Sequence, residues 1–402
     1  MGEFREVLKG NVGVMALSWF LFSLSGALVQ PFFTLYAKNL GADDLSIAMI
    51  KSAGLLALSV ALIPGGILTD YVGRVKMIVV GTAGITIVQF LYALANNWST
   101  LAVVWILDEV LHFYQPALSA IVMDSLPKDR TLKGFIALQA FPNLPWLFMP
   151  LVGGYLYDKY GLMGIRVGFV LSGVLSGMVT FLRLKGFKET YSYRQVNAGL
   201  SELPRVLANN KSKVRRAFMV YTYSALLLPV ATGVSNTYSS IYVVNLLGLS
   251  KTDLGSATSI AIAFSIAVSL TLAPSKQLES KLLKLGVAGT LFLALSQAVL
   301  GIAGLIKTQP FPAVVLAFTL SQVGTTLANP VVSTLLTRTL PIEMRGTMTG
   351  VQRTLETFGG SLGAFVAGAL YLILGPQNSL LLSFLLGLIA TYYLLMVVRE
   401  LT

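Results

Sequence analysis

Long apolar stretches follow one another along the whole chain, separated by short segments that contain Gly, Pro or charged residues. A helix needs about 20 residues to cross the hydrocarbon core of a bilayer, and most of these stretches are that long. The pattern therefore predicts an all-α integral membrane protein with twelve transmembrane helices. The predicted spans are residues 11–37, 44–68, 75–95, 99–123, 134–157, 165–184, 215–245, 252–273, 284–306, 311–337, 346–374 and 378–399.

The longest polar stretch, residues 185–214, is rich in basic residues and lies between the sixth and seventh spans. It divides the chain into a predicted N-terminal six-helix bundle, 1–184, and a C-terminal six-helix bundle, 215–402, with 185–214 as a cytoplasmic linker. The halves also resemble each other, which is typical of transporters that hold the substrate between two repeats near the midplane. Matching positions are Gln30 with Asn236, at an offset of 206, and Gln115-Pro116 with Asn329-Pro330, at an offset of 214.

Composition and charge agree with a membrane location. Only 11% of the residues are charged, whereas a soluble domain has about 25%, so soluble classes are excluded. The net charge is +12, but 23 of the 29 Lys and Arg residues fall near the termini or in every second loop. The positive-inside rule then predicts a multi-pass protein of the inner (cytoplasmic) membrane with both termini in the cytoplasm. Because topology accounts for the basic residues, we expect no nucleic acid partner.

The reactive side chains exclude several classes of enzyme. The chain has no cysteine and one histidine, so disulfides, thiol catalysis and a Cys-rich or His-rich metal site are excluded. The phosphate-binding motif G-x-x-x-x-G-K-[ST] does not occur. We therefore expect a protein that is not an enzyme and that uses no metal or cofactor.

The loop after the second span carries the most specific motif of the chain. Gly73 permits a tight turn between two helices, and Arg74 and Lys76 keep the loop on the cytoplasmic side. The segment resembles the signature loop of the major facilitator superfamily, G-x-L-x-D-x-x-G-R-x-[KR], which that family also has after its second span. It reads Gly66-Ile-Leu68-Thr-Asp70-Tyr-Val-Gly73-Arg74-Val-Lys76.

The resemblance extends to the loops after spans 4 and 10, which contain Leu126-Pro127 and Leu340-Pro341. It implies transport by alternating access between two bundles. In the family, the loop acid contacts the end of span 11 and the loop arginine approaches an acid at the end of span 4. The resemblance thus implies a cytoplasmic latch formed by Gly66, Asp70, Gly73, Arg74 and Asp124. The alternative is that Asp70 and Arg74 only set orientation and turn geometry.

Placing an ionisable side chain at the bilayer centre costs about 2.5–3.5 kcal/mol on insertion scales, so such a residue is expected to have a function. The ionisable residues inside the spans are therefore candidates for proton coupling. Asp108, Glu109 and His112 lie near the middle of span 4, and Glu356 is similarly placed in span 11. Helical spacing puts four polar residues on one stripe: Asp108, His112, Gln115 and Ser119. The alternatives are a structural pair between Asp108 and His112, and neutralisation of Arg353 by Glu356.

Polar and aromatic residues in the spans are candidates for substrate contacts. Gln30 and Asn236 occupy equivalent places in spans 1 and 7, which line the cavity in the family that the chain resembles. Their alternative role is hydrogen bonding between helices. The full set of substrate candidates is Gln30, Asn236, Gln115, Asn329, Gln139, Asn143, Trp105 and Tyr238.

Span 5 indicates the direction of transport. Its segment Pro150-Leu-Val-Gly153-Gly154 resembles part of the antiporter motif of exporters in the superfamily. Many aromatic residues and few fixed charges suit lipophilic or cationic compounds, so we expect proton-coupled export by a monomer in the lipid bilayer, as in drug/proton antiporter-like members. The alternative is proton-coupled or facilitated uptake of a small metabolite such as a sugar or organic acid. A channel is disfavoured because no filter motif is visible.

Overall fold

The computed structural model describes residues 10–125, 141–190, 211–272, 278–305, 309–339 and 345–401. Every regular element in these ranges is a helix, which confirms the predicted all-α class. The α-helices are α1 (Gly10–Val29), α2 (Phe33–Asn39), α3 (Asp44–Val72), α4 (Arg74–Leu94), α5 (Trp98–Leu111), α6 (Gln115–Ser125), α7 (Met149–Tyr160), α8 (Leu162–Gly186), α9 (Lys211–Thr222), α10 (Leu228–Ile241), α11 (Lys251–Leu272), α12 (Leu278–Ala303), α13 (Phe311–Thr339) and α14 (Arg345–Leu401).

Short segments of other helix types interrupt several predicted spans. The 3₁₀ segments Gln30–Phe32 and His112–Tyr114 divide spans 1 and 4, and Pro145–Leu147 precedes α7. The π segments Tyr223–Leu227 and Tyr242–Leu246 lie on either side of α10 in span 7. Such irregular turns redirect the side chains that follow them and often occur near functional sites.

The helices have the length and the surface of membrane-spanning segments. Within the described ranges, nine helical runs are long and apolar enough to cross a bilayer. The last of these runs covers predicted spans 11 and 12, because α14 continues through a non-helical residue, Gly375, with φ 76°, followed by Pro376. Large apolar side chains such as Leu94 and Ile373 are 69% and 76% exposed, as lipid-facing residues would be. The number of twelve spans stays a prediction.

The chain divides into two compact units, and the division runs through α3 and α11. Unit 1 contains Met1–Ala42, Ala57–Arg194 and Ser250–Ser259, and unit 2 contains Asp43–Leu56, Gln195–Leu249 and Ile260–Thr402. The predicted bundles, 1–184 and 215–402, follow a different line of division and stay a prediction.

Each unit has its own packed helices. In unit 1, α8 packs along α1 and α4, and a buried core includes Met15, Ile78 and Ile121. In unit 2, α12 packs on α13 and α10 packs on α14, with Val220 and Leu394 in a buried core. Burial of such side chains against neighbouring helices is what fixes the positions of the polar groups described below.

A tight turn between α4 and α5 places the candidate site. The side chain of Asn97 caps α5 by accepting a hydrogen bond from the backbone N–H of Thr100 at 2.8 Å. Because only three residues separate the two helices, the end of α4 lies beside α5. Tyr92, near the end of α4, thereby reaches Asp108 on α5.

Candidate functional site

A carboxyl group lies in the interior of unit 1. The side chain of Asp108 is only 13% exposed. Its Oδ2 atom accepts a hydrogen bond from the hydroxyl of Tyr92 at 3.0 Å, whereas Oδ1 has no hydrogen-bond partner among the described residues. A buried carboxylate oxygen without a hydrogen bond is energetically costly, so Oδ1 is the atom on which a proton can be held.

His112 lies beside the same carboxyl group. Its Nδ1 atom is 2.8 Å from the backbone carbonyl oxygen of Asp108 and 4.0 Å from Oδ1. The imidazole is 21% exposed, so it is more accessible than the carboxyl group. One nitrogen of a neutral imidazole donates a proton and the other accepts one, so an imidazole beside an acid can take part in proton exchange.

Aromatic rings enclose the buried side of this cluster. The ring of Tyr92 stacks on Phe169 with centroids 4.9 Å apart, and Phe33 meets Tyr92 edge-on at 6.1 Å. Phe33 also packs on Trp105 at 4.3 Å, so Trp105, a substrate candidate, forms part of this frame. Tyr92 itself is 2% exposed. Sequence reasoning missed Tyr92, and the available signal was a tyrosine inside a span, which needs a hydrogen-bond partner when buried.

The predicted polar stripe of span 4 is not continuous. The chain changes from α-helix to a 3₁₀ turn at His112, which alters the angular step between successive side chains. As a result Gln115 is half-buried at the start of α6 and Ser119 is exposed, while Tyr114 takes the buried position. Glu109 lies close enough to Tyr92 to interact with it electrostatically.

Glu356 in unit 2 is held by a neighbouring amide. Its Oε1 atom accepts a hydrogen bond from Nε2 of Gln352 at 2.7 Å. Among the described residues Glu356 forms no ion pair with Arg353, whose side chain is exposed. One turn of helix brings Gln352, four residues before Glu356, onto the same face, and neutralisation of Arg353 by Glu356 stays a hypothesis.

The repeat-related amides Gln30 and Asn236 are both exposed, in unit 1 and unit 2 respectively. Asn236 donates to the hydroxyl of Thr232 at 3.2 Å. Next to it, Ser235 accepts a hydrogen bond at 2.7 Å from Nε2 of Gln297, which is 1% exposed. Span 7 thus presents the exposed amide of Asn236 beside Ser235, whose hydroxyl is held by the buried side chain of Gln297.

The other substrate candidates differ in accessibility. Asn143 and Asn329 are exposed. Tyr238 is 1% exposed, stacks on Tyr371 at 3.9 Å, and donates its hydroxyl to the backbone carbonyl of Asp44. It therefore packs the interior of unit 2 and offers no accessible surface here. Gln139 lies outside the described residues.

The residues of the signature loop form a polar cluster in unit 1. Arg74 contacts the carboxylate of Asp124 and donates to the hydroxyl of Thr190 at 2.9 Å. Gly73 has φ 97°, a conformation that residues with a side chain rarely adopt, so glycine is required at the turn. Gly66 is half-buried, and the side chain of Asp70 lies outside the described residues.

Glu189 joins this cluster, and sequence reasoning missed it. Its Oε2 atom accepts a hydrogen bond from the backbone N–H of Val75 at 3.0 Å, in the first turn of α4. A carboxylate is favourable at a helix N-terminus because the helix dipole is positive there. Glu189 is 115 residues from Arg74, so no local sequence pattern connects them.

Comparison with solved structures shows that the chain shares its helical fold with several proteins. It superposes on a peptide transporter POT in complex with sulfate with a TM-score of 0.77, at 17% identity, covering 96% of this chain and 93% of that chain. A bacterial homologue of the human lysosomal transporter Spinster, in an inward-facing and unoccupied conformation, gives a TM-score of 0.70 at 14% identity, with 98% and 97% covered.

The sequence defines the family. The profile described as Major Facilitator Superfamily matches residues 15–296, and the chain belongs to that family of multi-pass membrane transporters. The resemblance noted at the signature loop is therefore confirmed.

The curated relatives match different lengths of the chain. An uncharacterized MFS-type transporter, MJ1560, of Methanocaldococcus jannaschii is 23% identical over 95% of this chain and 98% of its own length. The multidrug resistance protein MdtG of Serratia proteamaculans is 28% identical over 60% of this chain and 58% of its own. The quinolone resistance protein NorA of Staphylococcus aureus is 21% identical, with 61% and 62% covered.

Proposed function

We propose that the protein is a secondary active transporter that exports small lipophilic or cationic compounds in exchange for protons. The observation that carries the proposal is the Asp108 carboxyl group inside unit 1, which has one oxygen bonded to Tyr92 and the other without a hydrogen bond in the described region. An ionisable residue within a membrane segment is a functional candidate because its burial is costly.

The relatives support the direction of transport. MdtG is named a multidrug resistance protein and NorA a quinolone resistance protein, and export of a drug is one way in which a membrane transporter gives resistance to it. In our proposal Gln30 and Asn236, which are both exposed, contact the substrate. Glu109, His112 and Glu356 assist the exchange of protons, and the contact of Arg74 with Asp124 helps to latch the cytoplasmic side.

The proposal includes the oligomeric state, the location and the orientation of the protein. The protein acts as a monomeric carrier without a catalytic reaction, in the inner membrane, with both termini in the cytoplasm. The distribution of Lys and Arg residues along the sequence supports this orientation.

Replacement of Asp108 tests the proposal. Purified protein is reconstituted into liposomes with an imposed pH gradient, and the movement of ethidium and the internal pH are recorded together. Wild type should move ethidium against the direction of proton flow. Asp108→Asn, which cannot take up a proton, should reduce gradient-driven transport to the level of empty liposomes while ethidium still binds.

A control and a contrary result complete the test. Glu400→Gln removes an exposed carboxylate that pairs with Arg215 at 3.5 Å, and it should transport like wild type. Proton-driven transport that persists in Asp108→Asn would contradict the assignment to Asp108. Transport of sugars or organic acids with the proton flow, and none of ethidium, would contradict export.

A further inference from the structure

Tyr92 is fixed in the interior of unit 1 with its hydroxyl pointing at a carboxyl group. The ring is held by Phe169 on one face and by the edge contact with Phe33. The side chain is 2% exposed, so solvent does not compete for its hydroxyl. The donor of the 3.0 Å hydrogen bond to Asp108 is therefore held in place by packing.

The chemistry of this contact depends on the charge of Asp108. A hydroxyl that donates to an ionised carboxylate forms a stronger hydrogen bond than one that donates to a neutral acid. Tyr92 thus favours the ionised state, whereas burial favours the protonated state. A change in the hydroxyl alone should shift the balance between these states.

Within the described residues, several other titratable or charged side chains lie around Asp108. His112 and Glu109 lie on the same chain segment, and the ring of His112 stacks on Tyr114, over which Arg183 lies at 5.7 Å. The neighbouring helix α2 carries Tyr36 and Lys38. The hydroxyl of Tyr36 donates to the backbone carbonyl oxygens of Tyr92 at 2.8 Å and of Ala95 at 3.3 Å.

We infer that Tyr92 is a positioning residue of the proton site and that its hydroxyl sets the pH at which Asp108 takes up and releases the coupled proton. The inference rests on the proposed proton exchange. Tyr92 holds Oδ2, and Oδ1, which faces His112 at 4.0 Å, is the oxygen that receives the proton. The imidazole of His112 is 21% exposed, against 13% for the side chain of Asp108, so it is the more accessible of the two groups.

The test removes one hydroxyl at a time. Tyr92→Phe keeps the ring that packs on Phe169. Tyr36→Phe is the matched control because it removes a buried hydroxyl whose partners are the backbone oxygens of Tyr92 and Ala95 and the side chain of Arg166, not Asp108. In the liposome assay, Tyr92→Phe should move the pH of half-maximal ethidium export upward by about one pH unit, the size expected for a hydrogen bond to a charged group. Tyr36→Phe should leave this pH within about 0.2 units of wild type, since its hydroxyl does not touch the carboxyl group.

Infrared spectroscopy separates this inference from the proposed function, since it needs no transport. The carboxyl band that disappears in Asp108→Asn is titrated in wild type and in Tyr92→Phe. A higher midpoint and a higher band frequency in Tyr92→Phe would support the inference. An unchanged midpoint and frequency would overturn it, even if ethidium export proves to be proton-driven.

A second measurement on the unaltered protein covers the case in which Tyr92→Phe does not fold. The Asp108 band of wild type should have the lowered frequency of a hydrogen-bonded carboxyl group. A band at the frequency of a carboxyl group without hydrogen bonds would overturn the inference. Absence of proton-driven ethidium export in wild type would contradict the proposed function, and the band would still decide the role of Tyr92.

Discussion

Gly359 in α14 lies directly against the backbone of another segment of unit 2. A Cβ atom built at this position would overlap the carbonyl oxygen of Ala225, which belongs to the π segment before α10. Its neighbour Gly360 is different, because a Cβ atom there would be 3.3 Å from Cδ1 of Leu55, the mobile end of a side chain. Two adjacent glycines therefore tolerate a methyl group very differently.

We predict that Gly359→Ala destabilises the protein and that Gly360→Ala does not. Overpacking a rigid contact costs about 1–3 kcal/mol or more, and a backbone oxygen cannot rotate away. Alanine in place of glycine in the middle of a helix gains roughly 0.5–1 kcal/mol, which offsets a small side-chain adjustment at the half-buried Gly360. Thermal unfolding of the detergent-solubilised variants measures both effects, and equal midpoints for the two would contradict the packing described here.

The burial of Arg183 could not be predicted from its residue type. In the sequence it is one of the basic residues at the cytoplasmic end of span 6, where the positive-inside rule expects a solvated charge. In the structure it is 1% exposed, donates to the hydroxyl of Thr82 at 2.8 Å, and lies over the ring of Tyr114. The neighbours that bury it come from α4 and span 4, far away in sequence.

The first turn of α11 is capped from two directions. Ser250 and Asp253 form a reciprocal pair, in which the serine hydroxyl accepts from the Asp253 N–H at 2.9 Å and donates to its carboxylate at 2.7 Å. Asp158, which comes from α7, accepts hydrogen bonds from Thr252 and Lys251 at the same helix end. Burial alone would raise the pKa of the Asp158 carboxyl group, but these hydrogen bonds outweigh burial and lower it below the usual value.

A pH-dependent effect on stability follows from this lowered pKa. Because the pKa is lower in the folded than in the unfolded protein, the contact contributes fully above the usual value of 3.8 and is lost as the pH falls through the folded value. Asp158→Ala should reduce the unfolding free energy by about 1 kcal/mol, as expected for a lost cap. The difference should be constant from about pH 5 to pH 8 and disappear at lower pH.

Thermal unfolding of wild type and Asp158→Ala as a function of pH measures this difference. Asp158→Asn is the matched control, because an amide keeps one accepting oxygen without the charge and should lose part of the stabilisation at every pH. A difference between wild type and Asp158→Ala that grows as the pH falls would contradict the role assigned to the carboxylate.

The whole molecule is expected to have one orientation in the membrane, which the basic residues of the sequence predict. The chain has no cysteine, so single cysteines can be labelled without background. Ser99 and Lys188 are both exposed, and the predicted topology puts them on opposite sides of the membrane.

We predict that an impermeant maleimide labels Ser99→Cys in right-side-out membranes and Lys188→Cys only in inside-out vesicles. Labelling after addition of detergent shows that both cysteines can react. The reverse pattern would contradict cytoplasmic termini, whereas labelling of both sites from one side would contradict the placement of spans 4, 5 and 6 between them.

The sequence alone determined the class of the protein and its family. Apolar stretches long enough to cross a bilayer require helices, because lipid offers the backbone no hydrogen-bond partners. The signature loop is local as well, since the turn at Gly73 and the charges of Arg74 and Lys76 lie within a few residues of one another. Asp108 and His112 could be singled out for a similar reason, because charge in a membrane segment is conspicuous by itself.

Only the tertiary structure decided which side chains complete these sites. Tyr92 reaches Asp108 and Glu189 reaches the start of α4 because separate helices pack side by side, and packing depends on shape along whole helices. The 3₁₀ turn at His112 likewise interrupts the polar stripe that ideal helical spacing predicted for span 4. Residue type determines what a side chain can do in the membrane. Its partner depends on how the helices pack against one another, and a short sequence pattern does not predict that packing.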